Sequence, residues 1–274
     1  MPEQDDLSLR CDHAQKIARR AGELALEGRA RVLNGGIANK GPQDFVTEVD
    51  RKVEEFIREQ LASHFPQDAF LGEEDGGQWE NSGTWVVDPI DGTTNYIRGL
   101  PSWGVSIAYL QDGVVRIGVI HDPVHRKTYA ARLGQGATLN GRPLAIRPPE
   151  GDIASSLVIL GTNAASPAEE HTQLISHLFA AGAEYRRTGS AAIGLAMVAE
   201  GVAEAYYEGR LNSWDALAGM LICQETGLKA LNAGLAQHMR GPSPVLAGRQ
   251  DVVALIRREP SVAAKPLVEL GADA

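Results

Sequence analysis

Residues 84–95 read Thr-Trp-Val-Val-Asp-Pro-Ile-Asp-Gly-Thr-Thr-Asn, the stretch that most limits how this chain can fold. Its apolar, β-prone start predicts a buried strand ending at Asp88, where Pro89 stiffens the exit. Beyond it, the Ile90 carbonyl and Asp91 turn toward Asp88, a group of hard oxygens suited to a hard cation. Gly92 permits close approach of backbone to an anion. Thr93 to Ile97 then predict a short helix whose free N–H groups favour a phosphate. On this segment alone a purely structural reading stays open, because Asp-Pro and Asp-Gly are common turn formers and a lone Asp after a strand often only caps a helix.

Other segments add acids. Gly72-Glu73-Glu74-Asp75-Gly76-Gly77 follows the short apolar run Ala69-Phe70-Leu71, and Glu73, nearer the strand end, is the better candidate ligand. Acids converging there with Asp88 and Asp91 repel unless cations offset them. Ser213 is placed to cap a helix carrying Trp214, Leu217, Leu221 and Ile222 on apolar positions, which sets Asp215 in a first turn where its charge suits the helix dipole. Thr47 and Asp50 fit a capping box for a helix marked by Val49, Val53, Phe56, Ile57 and Leu61. Ser190, in Gly189-Ser190-Ala191, predicts the N-cap of a helix over 192–200.

Gly72-Glu73-Glu74, the Asp88-to-Asn95 run and Ser213-Trp-Asp-Ala-Leu-Ala-Gly219 together resemble the inositol monophosphatase family of magnesium-dependent, lithium-sensitive phosphatases, over about residues 12–253. The resemblance implies a layered α-β-α-β-α sandwich with its metal site between two lobes, two or three Mg2+ ions and a homodimer. It implies Glu73, Asp88 and the Ile90 carbonyl as ligands of one ion, and Asp88, Asp91 and Asp215 as ligands of a second. Asp50, Glu73 and Thr93 are the implied catalytic set, with Asp50 hydrogen-bonding Thr93 to orient the attacking water. Lys40, on a loop near the phosphate, joins Gly92, Thr93 and Thr94 as implied substrate contacts. Gly189, Ser190, Ala191, Glu208 and Asp215 are implied on the alcohol side.

The implied reaction is direct hydrolysis of a phosphate monoester. Thr94-Asn95 keeps the inositol-type order, which favours inositol 1-phosphate over histidinol phosphate on the same scaffold. A sugar bisphosphatase or phosphoadenosine phosphatase ranks lower, because the chain is short and shows no obvious basic patch for a second phosphate. A noncatalytic binding module is the alternative from another class. A serine route is disfavoured: no Gly-X-Ser-X-Gly elbow is available, and none of the seven histidines lies within the constellation.

A formal net charge of −9 argues against nucleic-acid backbone as the main partner. Cys11 and Cys223 lack metal-ligand spacing and suggest no disulfide. The start Met1-Pro-Glu-Gln-Asp-Asp has neither a basic stretch nor an apolar core, and no apolar run reaches spanning length, so no membrane partner and cytoplasmic residence are expected.

Periodicity alone predicts a mixed α/β (α+β) protein. Helices are expected from Cys11 to Val32 and, after a Gly-Asn-rich loop through Gly41, to His64. A hairpin is expected at Gln111-Asp112-Gly113, a strand from Thr128 to Arg132 and a turn at Leu139-Asn140-Gly141-Arg142. The Pro-rich stretch from Arg147 to Asp152 marks a boundary. Residues 1–148 then form an N-terminal lobe with most metal ligands, and residues 149–274 an α/β lobe supplying Asp215 and substrate contacts. The tryptophans at 79, 85, 103 and 214 are read as packing residues, and residues 261–274 as an edge segment or a frayed end.

Overall fold

The computed structural model describes residues 2–33, 37–41, 44–80, 82–148 and 150–271, with side chains described within 6–29 and 48–271 apart from 81 and 149. An N-terminal layer is formed by α1 (Pro2–Leu33) and α2 (Glu48–His64), joined through a hairpin of β1 (Ile37–Gly41) and β2 (Asp44–Thr47). The first helix thus starts earlier than the apolar pattern predicts. Much of the expected Gly-Asn loop pairs as strands.

The first sheet has eight strands: β3 (Ala69–Gly72), β4 (Gly76–Gly77), β5 (Thr84–Asp91), β6 (Gly104–Gln111), β7 (Val114–Asp122), β8 (Lys127–Arg132), β9 (Ala137–Leu139) and β10 (Arg142–Pro143). Their order is β10-β9-β8-β7-β6-β5-β3-β4, antiparallel except where β3 runs parallel to β5. The predicted turns close it. Asp112 and Gly113, and again Asn140 and Gly141, have positive φ values, as a two-residue hairpin turn requires.

The second sheet has six strands: β11 (Leu157–Leu160), β12 (Glu184–Arg186), β13 (Ala205–Leu211), β14 (Lys229–Asn232), β15 (Ser243–Gly248) and β16 (Val268–Glu269), in the order β12-β11-β13-β15-β14-β16. The C-terminal segment supplies the edge strand β16, paired with β14. Helices α3 (Thr93–Arg98), α4 (Ala168–Ala180), α5 (Ala191–Glu200), α6 (Ser213–Glu225), α7 (Leu235–His238), α8 (Gln250–Ile256) and α9 (Pro260–Ala263) complete the chain.

Strand alternation assigns the layers. Trp85 and Val87 pack with α1 and α2, whereas Val86 between them packs with α5 and α6. On the second sheet Tyr206 faces α5 and α6, while Ala205 and Tyr207 face α4 and α8. The architecture is therefore the predicted α-β-α-β-α sandwich, with α5 and α6 as the central layer. Helices between two sheets must be apolar on opposite faces, and both are built from small and aliphatic residues such as Ala192, Ala196, Ala216 and Ala218. Trp85 and Trp103 are buried, as packing residues should be, and Trp79 and Trp214 are partly covered by the core. Among the described residues no helix is long and apolar enough to cross a membrane.

Candidate active site

Strand register brings Glu73 and Asp88 together. Gly72 pairs with Val87 in the parallel β3/β5 ladder, and the Glu73 N–H donates to the Val87 carbonyl at 3.2 Å. The next residue on each strand is one of the two acids. Asp88 is 1% exposed, and its Oδ1 accepts the Ile90 N–H at 2.8 Å, curling the chain around the carboxylate. Pairing between β5 and β6 becomes irregular between Asp88 and Asp91. Asp91 Oδ2 then accepts the Ser190 hydroxyl at 2.5 Å and the Ala192 N–H at 2.6 Å, joining the end of β5 to the start of α5. Ser190 is the N-cap of α5, as predicted, accepting from the Ile193 N–H.

Asp215 arrives from the other side of the sequence. The N-cap of α6 is Asn212, not the predicted Ser213: Asn212 has the extended backbone of a cap, and Ser213 takes the first helical position. Asp215 still lies in the first turn, where its Oδ2 accepts the Asn212 N–H at 3.3 Å. Ser106, opposite Asp88 on β6, donates to the Trp214 carbonyl at 2.8 Å and pins this turn over the sheet.

One carboxylate oxygen from each of Glu73, Asp88 and Asp215 lies within 4.8 Å of the other two. At that separation two full negative charges repel by about 3 kcal/mol at an effective dielectric near 20, so all three acids stay ionised only with a cation among them and otherwise take up protons. The donor set is all oxygen, which fits a hard divalent ion and disfavours soft metals.

The titration behaviour follows from this crowding. Desolvation, then the charges of Asp215 and Glu74, raise Glu73 well above the ordinary carboxylate range. Burial, then Glu73 and Asp215, do the same to Asp88. Burial and the Asp91 charge push Asp215 up to about 8. Burial also raises Asp91, against the opposing hydrogen bonds from Ser190 and from the backbone of Ala192 and Ala191. Glu73 belongs to an exposed residue at the mouth, but its carboxyl faces inward toward the other acids.

The sign of the pH effect is fixed by these directions. The folded state holds a proton on Asp215 that an unfolded chain releases near 3.8, so the associated stability is present at low pH and is lost as pH rises through about 8. In EDTA the melting temperature should therefore fall between pH 5 and pH 8.5, and magnesium should remove most of that fall. A pH-independent melting temperature in EDTA would count against the crowded acid cluster.

A cleft of about 620 Å³ opens above the acids. Its lining includes the predicted residues Glu73, Asp91, Gly92, Thr93, Thr94, Gly189, Ser190, Ala191, Glu208 and Asp215. Asp88 lies buried beneath. Gly92 is left-handed at φ 93°, and a Cβ there would meet the Ser102 carbonyl and Ser190 Cβ at 3.0 Å, so this turn accepts glycine best.

Thr93 Oγ1 donates to the Ile90 carbonyl at 3.1 Å, a different acceptor from Asp50, the partner implied by the resemblance. Asp50 is 2% exposed in the first turn of α2. Lys40 belongs to β1, but its side chain lies outside the described residues, as does that of Thr47.

Glu208 projects from β13, and its Oε2 accepts the Tyr206 hydroxyl at 2.6 Å. Burial raises its pKa to about 7, with Asp91 adding to the rise and Tyr206, Arg187 and Asn163 opposing it. Gly161 makes room, since a Cβ there would fall 2.0 Å from Glu208 Oε2. Arg187, Asn163 and Arg210 also line this half of the cleft; nothing in their local sequence marks them. Asn95 ties the halves together by donating to the Ser102 and Thr188 carbonyls at 2.6 and 2.8 Å.

A sequence model described as the inositol monophosphatase family matches residues 6–266. Nus factor SuhB of Pseudomonas aeruginosa is 38% identical over 222 residues, covering 78% of this chain and 82% of that protein. The protein of the same name from Vibrio cholerae is 31% identical over 252 residues, covering 89% and 93%. Among solved structures, the extragenic suppressor protein suhB from Bartonella henselae superposes with a TM-score of 0.83 at 29% identity, covering 90% of this chain and 96% of that one. The inositol monophosphatase from Anabaena superposes with a TM-score of 0.77 at 28% identity, covering 94% and 99%.

Proposed function

The chain belongs to the inositol monophosphatase family, and from that premise we propose that it hydrolyses a small phosphate monoester with magnesium, inositol 1-phosphate foremost. The observation that carries this reading is the convergence of Glu73, Asp88 and Asp215 under a cleft that also presents Gly92 to Thr94 and Glu208. On the resemblance we further propose two or three magnesium ions, lithium sensitivity, a cytoplasmic setting and a homodimer, the last checked by sedimentation.

A divalent cation supplies Lewis-acid stabilisation of phosphoryl charge and lowers the pKa of water. Glu73, Asp88, Asp215 and the Ile90 carbonyl are the groups that would hold it, with Asp91 beside them. Because Asp91 Oδ2 is committed to Ser190 and Ala192, this carboxylate keeps a fixed orientation. Thr93 gives its hydrogen to Ile90, which leaves the hydroxyl oxygen to accept one hydrogen of the attacking water. Asp50 and Lys40 enter the catalytic and substrate sets on the resemblance. The Gly92 to Thr94 turn would receive phosphate oxygens on backbone N–H groups. Glu208, held by Tyr206, would accept a hydroxyl hydrogen from the alcohol.

With magnesium present, kcat/KM should be highest for inositol 1-phosphate in a panel with histidinol phosphate, fructose 1,6-bisphosphate and 3′-phosphoadenosine 5′-phosphate. A tenfold lead for histidinol phosphate, about 1.4 kcal/mol in transition-state selection, would move the assignment to that ester. Glu208→Gln should lower the rate on inositol 1-phosphate far more than on an aryl phosphate without hydroxyls. Equal losses on both would make Glu208 structural.

The relatives named Nus factor SuhB support a second reading, that this chain also serves as a Nus factor. An inactive Asp88→Asn protein that restores a strain lacking the chain would favour it, and failure to restore would tie the phenotype to hydrolysis.

A further inference from the structure

Glu54 lies on α2 and has no exposed surface. Its Oε2 accepts the Glu74 N–H at 2.8 Å, and its Oε1 accepts the Asp75 N–H at 3.1 Å and an Arg58 guanidinium hydrogen at 2.8 Å. A buried carboxylate beneath a loop reading Glu73-Glu74-Asp75 is opposed by the loop's side-chain charges. It is favoured by the loop's main chain, whose successive N–H groups form an anion-binding concavity. Arg58 supplies the counter-charge, lying 3.6 Å from Asp75 and stacking over Phe70 at 4.5 Å.

We propose that Glu54 is a positioning residue for the metal site, acting through the backbone of the acidic loop to hold Glu73 in place. Glu73 is gripped from both sides. Its own N–H is bonded to Val87 on β5, and the two peptide groups that follow are bonded to Glu54 on α2. The fit has no slack: a Cβ on Gly72 would lie 2.4 Å from the Glu54 carboxyl carbon, so the strand end and the glutamate must meet across a glycine. Both Glu54 oxygens are used as acceptors. A glutamine there turns an NH2 toward at least one N–H donor, whichever way its amide is placed.

The inference rests on the reading of Glu73 as a magnesium ligand, and calorimetric titration of magnesium into purified protein without substrate separates the two. Glu54→Gln should weaken magnesium binding by about ten- to a hundredfold, the range found when groups orienting a ligand are removed. Its kcat should recover at saturating magnesium, with substrate KM little changed. A variant with a lower melting temperature but the parent's magnesium affinity would overturn the proposal, because a merely structural glutamate behaves in that way. Should Glu54→Gln not fold, Arg58→Met decides: its guanidinium is partly exposed, and its loss should still weaken magnesium binding. Unchanged affinity in that variant overturns the proposal. A parent protein that binds no magnesium would overturn the metal reading itself, and this inference with it.

Discussion

Asp88→Asn should abolish magnesium-supported hydrolysis while making the cation-free protein more stable. The two effects share one cause. Asp88 is buried among like charges, with Glu73 and Asp215 oxygens within 4.8 Å. Asparagine keeps the acceptor for the Ile90 N–H, so the local turn survives the substitution. It removes one ionisable acid from a group whose mutual repulsion is about 3 kcal/mol per ionised pair, a cost that grows as rising pH strips the protons that keep the acids neutral. In EDTA at pH 8 the melting temperature should rise by about 3–6 °C, as expected for a gain near 1–2 kcal/mol in a chain of this size. With magnesium, kcat/KM should fall about a thousandfold or more, the scale of losing a principal electrostatic stabiliser. Magnesium should also lose most of its stabilising effect. Parent-like turnover by pure Asp88→Asn would remove the acid cluster from the chemistry.

How much of this site is legible in the sequence depends on how far apart its partners lie. Asp88, Ile90 and Asp91 sit in one turn, and Glu73 follows a short apolar run, so their chemistry shows in local composition. Asp215 does not: on its own it is an acid in a helix's first turn, and only the combined motifs assign it. The α6 cap differs by one residue because Asn212 and Ser213 are both good caps, and tertiary packing, which buries Ser213, selects between them.

The bracing roles of Ser106 and, within its motif, of Asn95 are illegible in the sequence for another reason. Each is a small polar residue whose partner lies far along the chain, Trp214 in one case and Thr188 in the other, so no window contains both ends of the bond. Glu54 was hidden by its context. It adjoins Val53 on a helix otherwise marked by a simple apolar stripe, where a charged residue reads as solvated. Its burial becomes visible only when the acidic loop folds over it.

Gly118→Val should be among the most destabilising single substitutions, because α6 approaches the first sheet there backbone to backbone. A Cβ at Gly118 would lie 2.5 Å from the Ala218 carbonyl oxygen and 3.0 Å from its Cα. Backbone cannot turn aside as a side chain can. Register places Ala108 and Ala131 on either side of Gly118, so a row of small residues crosses the sheet under the helix. Valine must push α6 outward. Overpacking of this kind costs about 3 kcal/mol or more, and the melting temperature should fall by roughly 6–12 °C. Asp215 lies on the same helix, one turn before Ala218, so the displacement also draws its carboxylate away from Asp88. Magnesium should therefore bind less tightly to the fraction that remains folded, measured by calorimetry below the melting transition. Gly118→Ala should show both effects at smaller size. If Gly118→Val melted like the parent and bound magnesium equally well, the close seat of α6 on β7 would not be what brings Asp215 within reach of Glu73 and Asp88.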